Sequence, residues 1–372
     1  MDILKSNLFT PHTDPESDVT IYILSKKVAP VQEAFYFVND SMSADGRYLW
    51  FYCAFPPSGT AGQGRTLGLL DLETGDVRHF PETQFNHASP FVDPADGGIY
   101  WGMGDSLWQR GPQPGDCVEL VGSIPSELIG NRHIERFATH LTRSADGKEF
   151  FVDAGFGLQV VFGSITIETG EYEFWHRFDR NHNHAQFSPT DPDLILFAQE
   201  NHPDQVTGLR FRIEDRMWLM RRGEAPRPVF DEPTVVTHEW WDADGEHVWC
   251  IKGGQGTWRV NIHTQAIEDL DWPKGAWHSH NHSSGKYIVG DTNTKFYRGC
   301  PSTVNFLNRE TGQRVRLADN PEMPGRVGAN YHIDPHPRFV GNEQLVAFTT
   351  TVRGEVDLAV VPTADLIART SG

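Results

Sequence analysis

The sequence predicts an all-β, seven-bladed propeller, on three observations. A turn followed by a short strand recurs seven times along the 372 residues. Most copies are followed by a second strand pair closed by a T-G turn or its like, and nowhere does a long helical period break the pattern. In chain order the units open at SADGRYLWFY (43–52), PADGGIYWG (94–102), SADGKEFFVD (144–153), SPTDPDLILFA (188–198), DADGEHVWCI (242–251), SSGKYIVGD (283–291) and VGNEQLVAFT (340–349). Six begin with the D-G, N-E or S-G chemistry of a tight turn and the fourth with D-P, and each then runs into apolar, β-branched or aromatic residues as a strand does. The second pairs are LGLLDLETGDVRHF (67–80), GSITIETGEYEFW (163–175), TWRVNIHTQAIEDL (257–270) and VNFLNRETGQRVRL (304–317). Four short strands per unit, repeating at roughly 40 to 57 residues, make a propeller blade. Two stacked β-sandwiches would not need so regular a period. Residues 1–372 are read as a single seven-bladed domain.

Composition narrows the function. Against 32 Lys+Arg stand 50 Asp+Glu, a formal charge of −18. Nucleic acid is excluded as a partner, since neutralising phosphates needs a basic face. An anionic substrate would require a local cation to overcome this field. Cys53, Cys117, Cys250 and Cys300 are far apart and form no C-x-x-C pair, so neither a zinc site nor a redox dithiol is expected. The opening MDILKSNLFTPHTDPESD lacks a basic-then-apolar profile, and no apolar run approaches the roughly 20 residues of a membrane span. The expectation is a cytoplasmic protein with no membrane partner. Oligomeric state is not readable.

The repeat also acts as a ruler. His140, His184, His238, His278 and His336 fall at one phase ahead of the turn, in the third to seventh units. The first two units carry Asn39 and Ala88 there, with His87 beside the latter. The strand leading into such a turn is the innermost of its blade, so equal phase places these imidazoles around the central channel at one height. Clustered imidazoles suit metal binding, proton transfer, or both. In the segment AWHSHNHSSGKYIVGD (276–291) only His278 belongs to the ring; His280 and His282 lie nearer the turn and are read as supporting or rim residues. In the seventh unit YHIDPHPRF (331–339) sets His332, Asp334 and His336 at alternate positions. A metal held by His278 and His336, with one or two ligands from His332 or Asp334, is the geometric expectation, leaving positions open for water or substrate.

The stretches HAQFSPTDPDLILFAQE (184–200), EDRMWLM (214–220), THEWWDADG (237–245), WHSHNHSSGKYIVGD (277–291) and DPHPRF (334–339), in that order and spacing, resemble the oligogalacturonate lyases, polysaccharide lyase family twenty-two. The resemblance implies a seven-bladed propeller that binds a divalent metal, usually manganese (Mn2+), and cleaves short uronate oligomers by β-elimination in the cytoplasm. It implies His238 as catalytic base, Arg216 as its catalytic partner, and His278 as a metal ligand. The family's last ligand group departs here: Tyr331 stands for a glutamine, Asp334 for the first histidine, and His336 keeps the second. His332 is the candidate replacement for the glutamine, and the added carboxylate favours a harder ion such as manganese or magnesium.

The chemistry asks for the same groups. Breaking the C4–O bond of a uronate requires removing the weakly acidic C5 proton next to a carboxylate, which builds up two negative charges. A metal on the carboxylate, an Arg216 fork on its oxygens and a neutral histidine base answer that need. Glu239 is expected to face the other side of its strand. Water, the proton returned by His238, Tyr331 and Tyr297 are all candidates for the acid. His140, His184 and Tyr331 are assigned to the sugar, as are His202 and Arg210 from the long stretch between Asn201 and Arg212, because long loops in compact folds often cover sites. Trp240 and Trp241 are read first as core, because aromatic side chains bury large areas. The alternatives are a propeller lyase for a different uronate-containing glycan and a non-catalytic sugar-binding propeller, since fold does not settle function.

Overall fold

The structure is a computed structural model that describes residues 7–56, 64–85, 90–157, 159–201, 207–210, 213–292, 300–322 and 333–372. Its strands form seven sheets, blades 1 to 7, set in a ring as a β-propeller. Blade 1 runs outward through Val31–Glu33, Tyr48–Ala54, Arg65–Asp71 and Asp76–Phe85. In blades 4, 5 and 6 the innermost strands are His182–Phe187, Thr237–Trp241 and Ala276–Asn281. Each leads into the turn found from sequence, and the second strand returns antiparallel to it.

The ring is closed by the N-terminus. Blade 7 takes Arg338–Val340, Leu345–Thr350 and Asp357–Pro362 from the end of the chain and adds Thr20–Leu24 and Phe9–Thr13 as its outer strands. Tyr22 pairs with Val360 and Ile23 with Ala359, so the two chain ends share one hydrogen-bond ladder. Arg316 of blade 6 grips Asp14 with two nitrogens, at 2.9 and 3.0 Å, and fastens the closing strands to the neighbouring blade.

The core lies between blades rather than at the axis. Leu49, Phe51 and Leu70 meet Val340, Leu345 and Val360 across the junction of blades 1 and 7, and Val289, Val304 and Phe306 meet Val346, Phe348 and Ala359 between blades 6 and 7. Trp50, Trp101, Trp249, Trp240 and Trp272 are all at most 3% exposed, so Trp240 is core as expected, whereas Trp241 is half-buried.

Besides the five-stranded blade 7, one blade departs from the four-strand expectation. Blade 3 has three regular strands, Glu149–Phe156, Gln159–Thr166 and Tyr172–Phe178, and its inner segment touches them only at isolated bridges of Arg136 and Arg143. There the ladder is replaced by side chains. Asp153 accepts the Thr139 N–H at 2.6 Å, and Arg136 donates to the Asp153 and His182 carbonyls at 3.1 and 2.9 Å.

Candidate functional site

The innermost strands are irregular where the ring histidines sit. Pairing with the second strand slips between Asn183 and Gln186, between Thr237 and Trp240, and between Ala276 and Ser279, one bulge at the same place in blades 4, 5 and 6. His184, His238 and His336 adopt φ of 56°, 53° and 45°. A left-handed backbone costs a non-glycine residue about 1–3 kcal/mol and persists where surroundings over-determine it, typically at functional positions. The bulges turn the histidines off the strand edge towards the axis.

Buried carboxylates hold this shape. Asp291, on the second strand of blade 6, accepts the His278 N–H at 2.7 Å, the His278 Nδ1 proton at 3.0 Å and the His336 N–H at 3.3 Å. Asp153 plays the same part between blades 3 and 4, accepting the N–H groups of Thr139 and Ala185 at 2.6 and 3.3 Å. In blade 7, Thr349 offers its hydroxyl oxygen to the Ala34 N–H at 3.0 Å.

All five histidines meet. Ring centroids of His238 and His278 lie 4.4 Å apart, those of His278 and His336 4.3 Å, and those of His140 and His184 4.9 Å. His140 is 2% exposed and shares a 3.0 Å hydrogen bond with His184, so it reaches the centre through its neighbour. Tyr36 of blade 1 completes the cluster: it stacks on His140 at 4.8 Å, packs edge-on to His336 at 4.7 Å, and its hydroxyl lies 3.3 Å from Nδ1 of His238. Neither Tyr36 nor Asp291 was singled out from sequence. The signals were slight: an aromatic run, AFYFV (34–38), just before Asn39, and a carboxylate ending the apolar run YIVGD (287–291). Asn39 itself serves the fold, donating from Nδ2 to the Pro90 and Leu141 carbonyls at 3.0 Å.

Burial and neighbouring positive groups keep His140, His184 and His238 neutral. Burial, then His278 and Arg216, pull His238 well below its ordinary value, and burial, then His140 and Arg216, do the same to His184. Burial and then Arg136 bring His140 down to about 3. Burial, then Glu239, push the Tyr36 hydroxyl well up, so it keeps its proton. Arg216 is buried between two carboxylates, with Nε donating to Glu239 at 3.1 Å and Nη1 paired with Glu200. Burial opposes its charge, yet Glu239 and Glu200 hold the guanidinium above its usual range.

This corrects one expectation. Glu239 does not face away: it is 1% exposed and turned onto Arg216, because the bulge at His238–Glu239 breaks the alternation of a regular strand. Two nitrogens of Arg216 are thereby engaged, so a full fork towards an incoming carboxylate is replaced by the remaining Nη2.

His278, Asp334 and His336 offer ligand atoms all within 4.8 Å of one another, and all three residues are buried. Donors at about 2.0–2.2 Å from one ion lie at most about 4.4 Å apart, so a slight contraction brings this set onto a single cation. Two imidazoles and a carboxylate suit a first-row divalent ion, and three protein ligands leave positions open. Asp291 on Nδ1 orients His278 so that Nε2 is its ligating atom.

Of the other expected residues, His332, Tyr331, Tyr297 and His202 lie outside the described residues, as do His87 and Ala88. Arg210 is exposed and is not among the residues drawn together here. His282 pairs with Glu343 at 3.1 Å, and His280 lines a separate cavity.

The chain matches no protein-family profile. It is 24% identical over 228 residues to the oligogalacturonate lyase of Dickeya dadantii (strain 3937) and 25% identical over 226 residues to the oligogalacturonide lyase of Pectobacterium atrosepticum, in each case covering 55% of either chain. It thus spans about half the length of the curated relatives it matches. Among solved structures it resembles an oligogalacturonate lyase in complex with manganese (TM-score 0.72, 19% identity, 96% of each chain). It also resembles an oligogalacturonate lyase from Vibrio parahaemolyticus (TM-score 0.68, 18% identity, 96% of this chain and 97% of that one). These likenesses establish the seven-bladed fold.

Proposed function

We propose that this chain is a metal-dependent lyase that cleaves short uronate oligosaccharides, oligogalacturonate foremost, by β-elimination. The observation that carries the reading is the meeting of His238 with the buried group His278, Asp334 and His336 at the axis of the ring, with Arg216 one residue contact away on Glu239. The named relatives and the manganese-bound neighbour support both the activity and the choice of Mn2+. His278, Asp334 and His336 would hold the ion, which when bound supplies a Lewis acid for the substrate carboxylate.

The rest of the reaction falls to the chain. Nη2 of Arg216 donates to a carboxylate oxygen and offsets charge that grows as C5 loses its proton. His238, neutral in its buried setting, is the base. With Nδ1–H donating to the Tyr36 oxygen, the Nε2 lone pair is left to take the C5 proton. The C5–H electron pair becomes the C4=C5 double bond while the C4–O bond breaks. The leaving oxygen takes up one proton, which His238 can return. His140, stacked on Tyr36, and His184, 3.9 Å from Glu200, shape the sugar side of the site.

The four cysteines are free, which supports a cytoplasmic setting. Among the described residues no helix is long and apolar enough to cross a membrane. The net charge of −18 argues against nucleic acid as a partner. Asp334, standing where the resemblance implies a histidine, favours as second reading a lyase for another uronate-containing glycan.

Digalacturonate and trigalacturonate, each with added Mn2+, test the proposal through the ultraviolet absorbance of a 4,5-unsaturated product. A rise abolished by chelation and restored by Mn2+ is expected. A rise only with other uronate glycans would transfer the activity to the second reading, and no rise with any of them would overturn both.

A further inference from the structure

Beyond the histidine cluster the channel opens again. Two residues on from His184, His238, His278 and His336 along the same inner segments come Gln186, Trp240, His280 and Arg338, and all four line one cavity of about 270 Å³. Phe37 separates it from the cluster. Fully buried, its ring lies 5.3 Å from His278 and 6.3 Å from His238, and 5.5 Å from Trp240 on the cavity wall. None of His278, Asp334 and His336 lines this space.

The wall carries one guanidinium that no carboxylate of the described residues touches. Arg338 gives Nη1 to the carbonyls of Phe37 and Val38, its Nε is buried without an acceptor, and among the described residues no carboxylate stands within ion-pair distance of it. Asp40 and Glu343 attract it only from further away. The two carboxylates on the same wall are already engaged. Asp242 accepts from Trp249 at 2.9 Å and Arg259 at 2.7 Å; Glu343 accepts the Ser283 hydroxyl at 2.6 Å and pairs with His282 at 3.1 Å. His280 adds a buried Nδ1 with no partner. A desolvated guanidinium with no carboxylate in direct contact is costly, and an anion seated against it in the cavity would relieve that cost.

We propose that this cavity binds a small carboxylate no larger than a single sugar acid, with its anionic head on Arg338 and its body against Trp240 and Trp241. The cavity volume lies at the small end of ligand pockets, which begin at about 300 Å³, and suits a body the size of one sugar ring. The indole N–H groups are bonded to Asn281 Oδ1 at 2.8 Å and to the Gln186 carbonyl at 3.1 Å, which leaves the tryptophans to supply apolar contact. Glu343 and Asp242 can accept further hydrogen bonds from ligand hydroxyls. The proposal does not depend on the lyase reading.

Calorimetric titration of chelator-treated protein with sodium acetate and, separately, sodium D-galacturonate at constant ionic strength tests it. Saturable binding of at least one is expected, weakened about tenfold or more by Arg338→Met and by Ala243→Trp. Ala243 is exposed on the cavity rim, so the indole blocks entry without disturbing the core, and this variant decides the matter if Arg338→Met fails to fold. His238→Ala, on the other side of Phe37, should leave the affinity unchanged. Equal affinity for both probes means that the carboxylate alone is read, and tighter galacturonate binding means that the ring is read too; either supports the site. No saturable binding, or binding that survives Ala243→Trp or is lost in His238→Ala, overturns it.

Discussion

Asp291→Asn is the most informative single change, because the structure assigns each of its oxygens a donor. Oδ1 takes the His278 N–H at 2.7 Å; Oδ2 takes the His278 Nδ1 proton at 3.0 Å and the His336 N–H at 3.3 Å. An asparagine amide must put NH2 at one of these places. At the Oδ2 place it forces Nδ1 of His278 to accept, which moves the ring proton to Nε2 and removes the lone pair a metal needs, and it leaves the His336 N–H unmet. At the Oδ1 place it confronts the His278 N–H. Either way a buried donor goes unsatisfied, at about 1–3 kcal/mol. Loss of an orienting carboxylate behind a metal-bound histidine typically weakens metal affinity about 10- to 100-fold. Asp153→Asn supplies the control, since Asp153 accepts two backbone N–H groups between blades 3 and 4 but touches no expected ligand. Thermal unfolding in chelator should show both variants destabilised, while Mn2+ titration should show only Asp291→Asn weakened. Unchanged Mn2+ affinity in Asp291→Asn, or equal weakening in Asp153→Asn, would refute the reasoning.

Three further changes follow from the same geometry. His238→Ala should lower turnover of trigalacturonate by about 10²- to 10⁴-fold, the usual worth of a positioned base, with metal content per chain intact; a parallel loss of metal would make His238 a ligand instead. Tyr36→Phe keeps the ring contacts with His140 and His336 and removes only the hydroxyl at His238. A hydrogen bond of net about 0.5–1.5 kcal/mol predicts a fall in kcat of about 2- to 10-fold with KM and metal content unchanged, and a change confined to KM would contradict a positioning role. His182→Phe addresses acid stability. Burial holds His182 at about 4 against 6.5 in the unfolded chain, even though its contact with the Arg180 carbonyl raises it. Below the unfolded value the unfolded state binds a proton that the folded state refuses, so this group costs stability as pH falls towards 4, about 1.4 kcal/mol per pH unit. Urea unfolding near about pH 7 and about pH 4.5 should show the variant losing less stability than the parent; equal losses would remove His182 from the acid response.

The fold was legible because a propeller repeats its local grammar. Each turn of the type SADG or DADG announces the return from an inner to a second strand, so seven turns mark seven blades even though blade 3 lacks a regular inner strand. The same regularity brings His140, His184, His238, His278 and His336 to one level, since equal phase in equivalent strands is equal height along the axis. What escaped the sequence lies where that regularity breaks. Reading Glu239 as outward-facing assumed strict alternation, and the bulge at His238 cancels it, so neighbouring residues serve one site. Asp291 and Asp153 look like stray charges at the ends of apolar strands until the backbone N–H groups that the bulged inner segments leave unpaired are counted. Tyr36 was hidden for the converse reason. Blade 1 has no histidine at the shared phase, and a side chain three residues earlier reaches over to fill the gap. The periodic part of the sequence thus builds the ring, while the departures from period, with their buried carboxylates, aim the histidines. A test of any one site residue is therefore also a test of the irregular backbone that presents it.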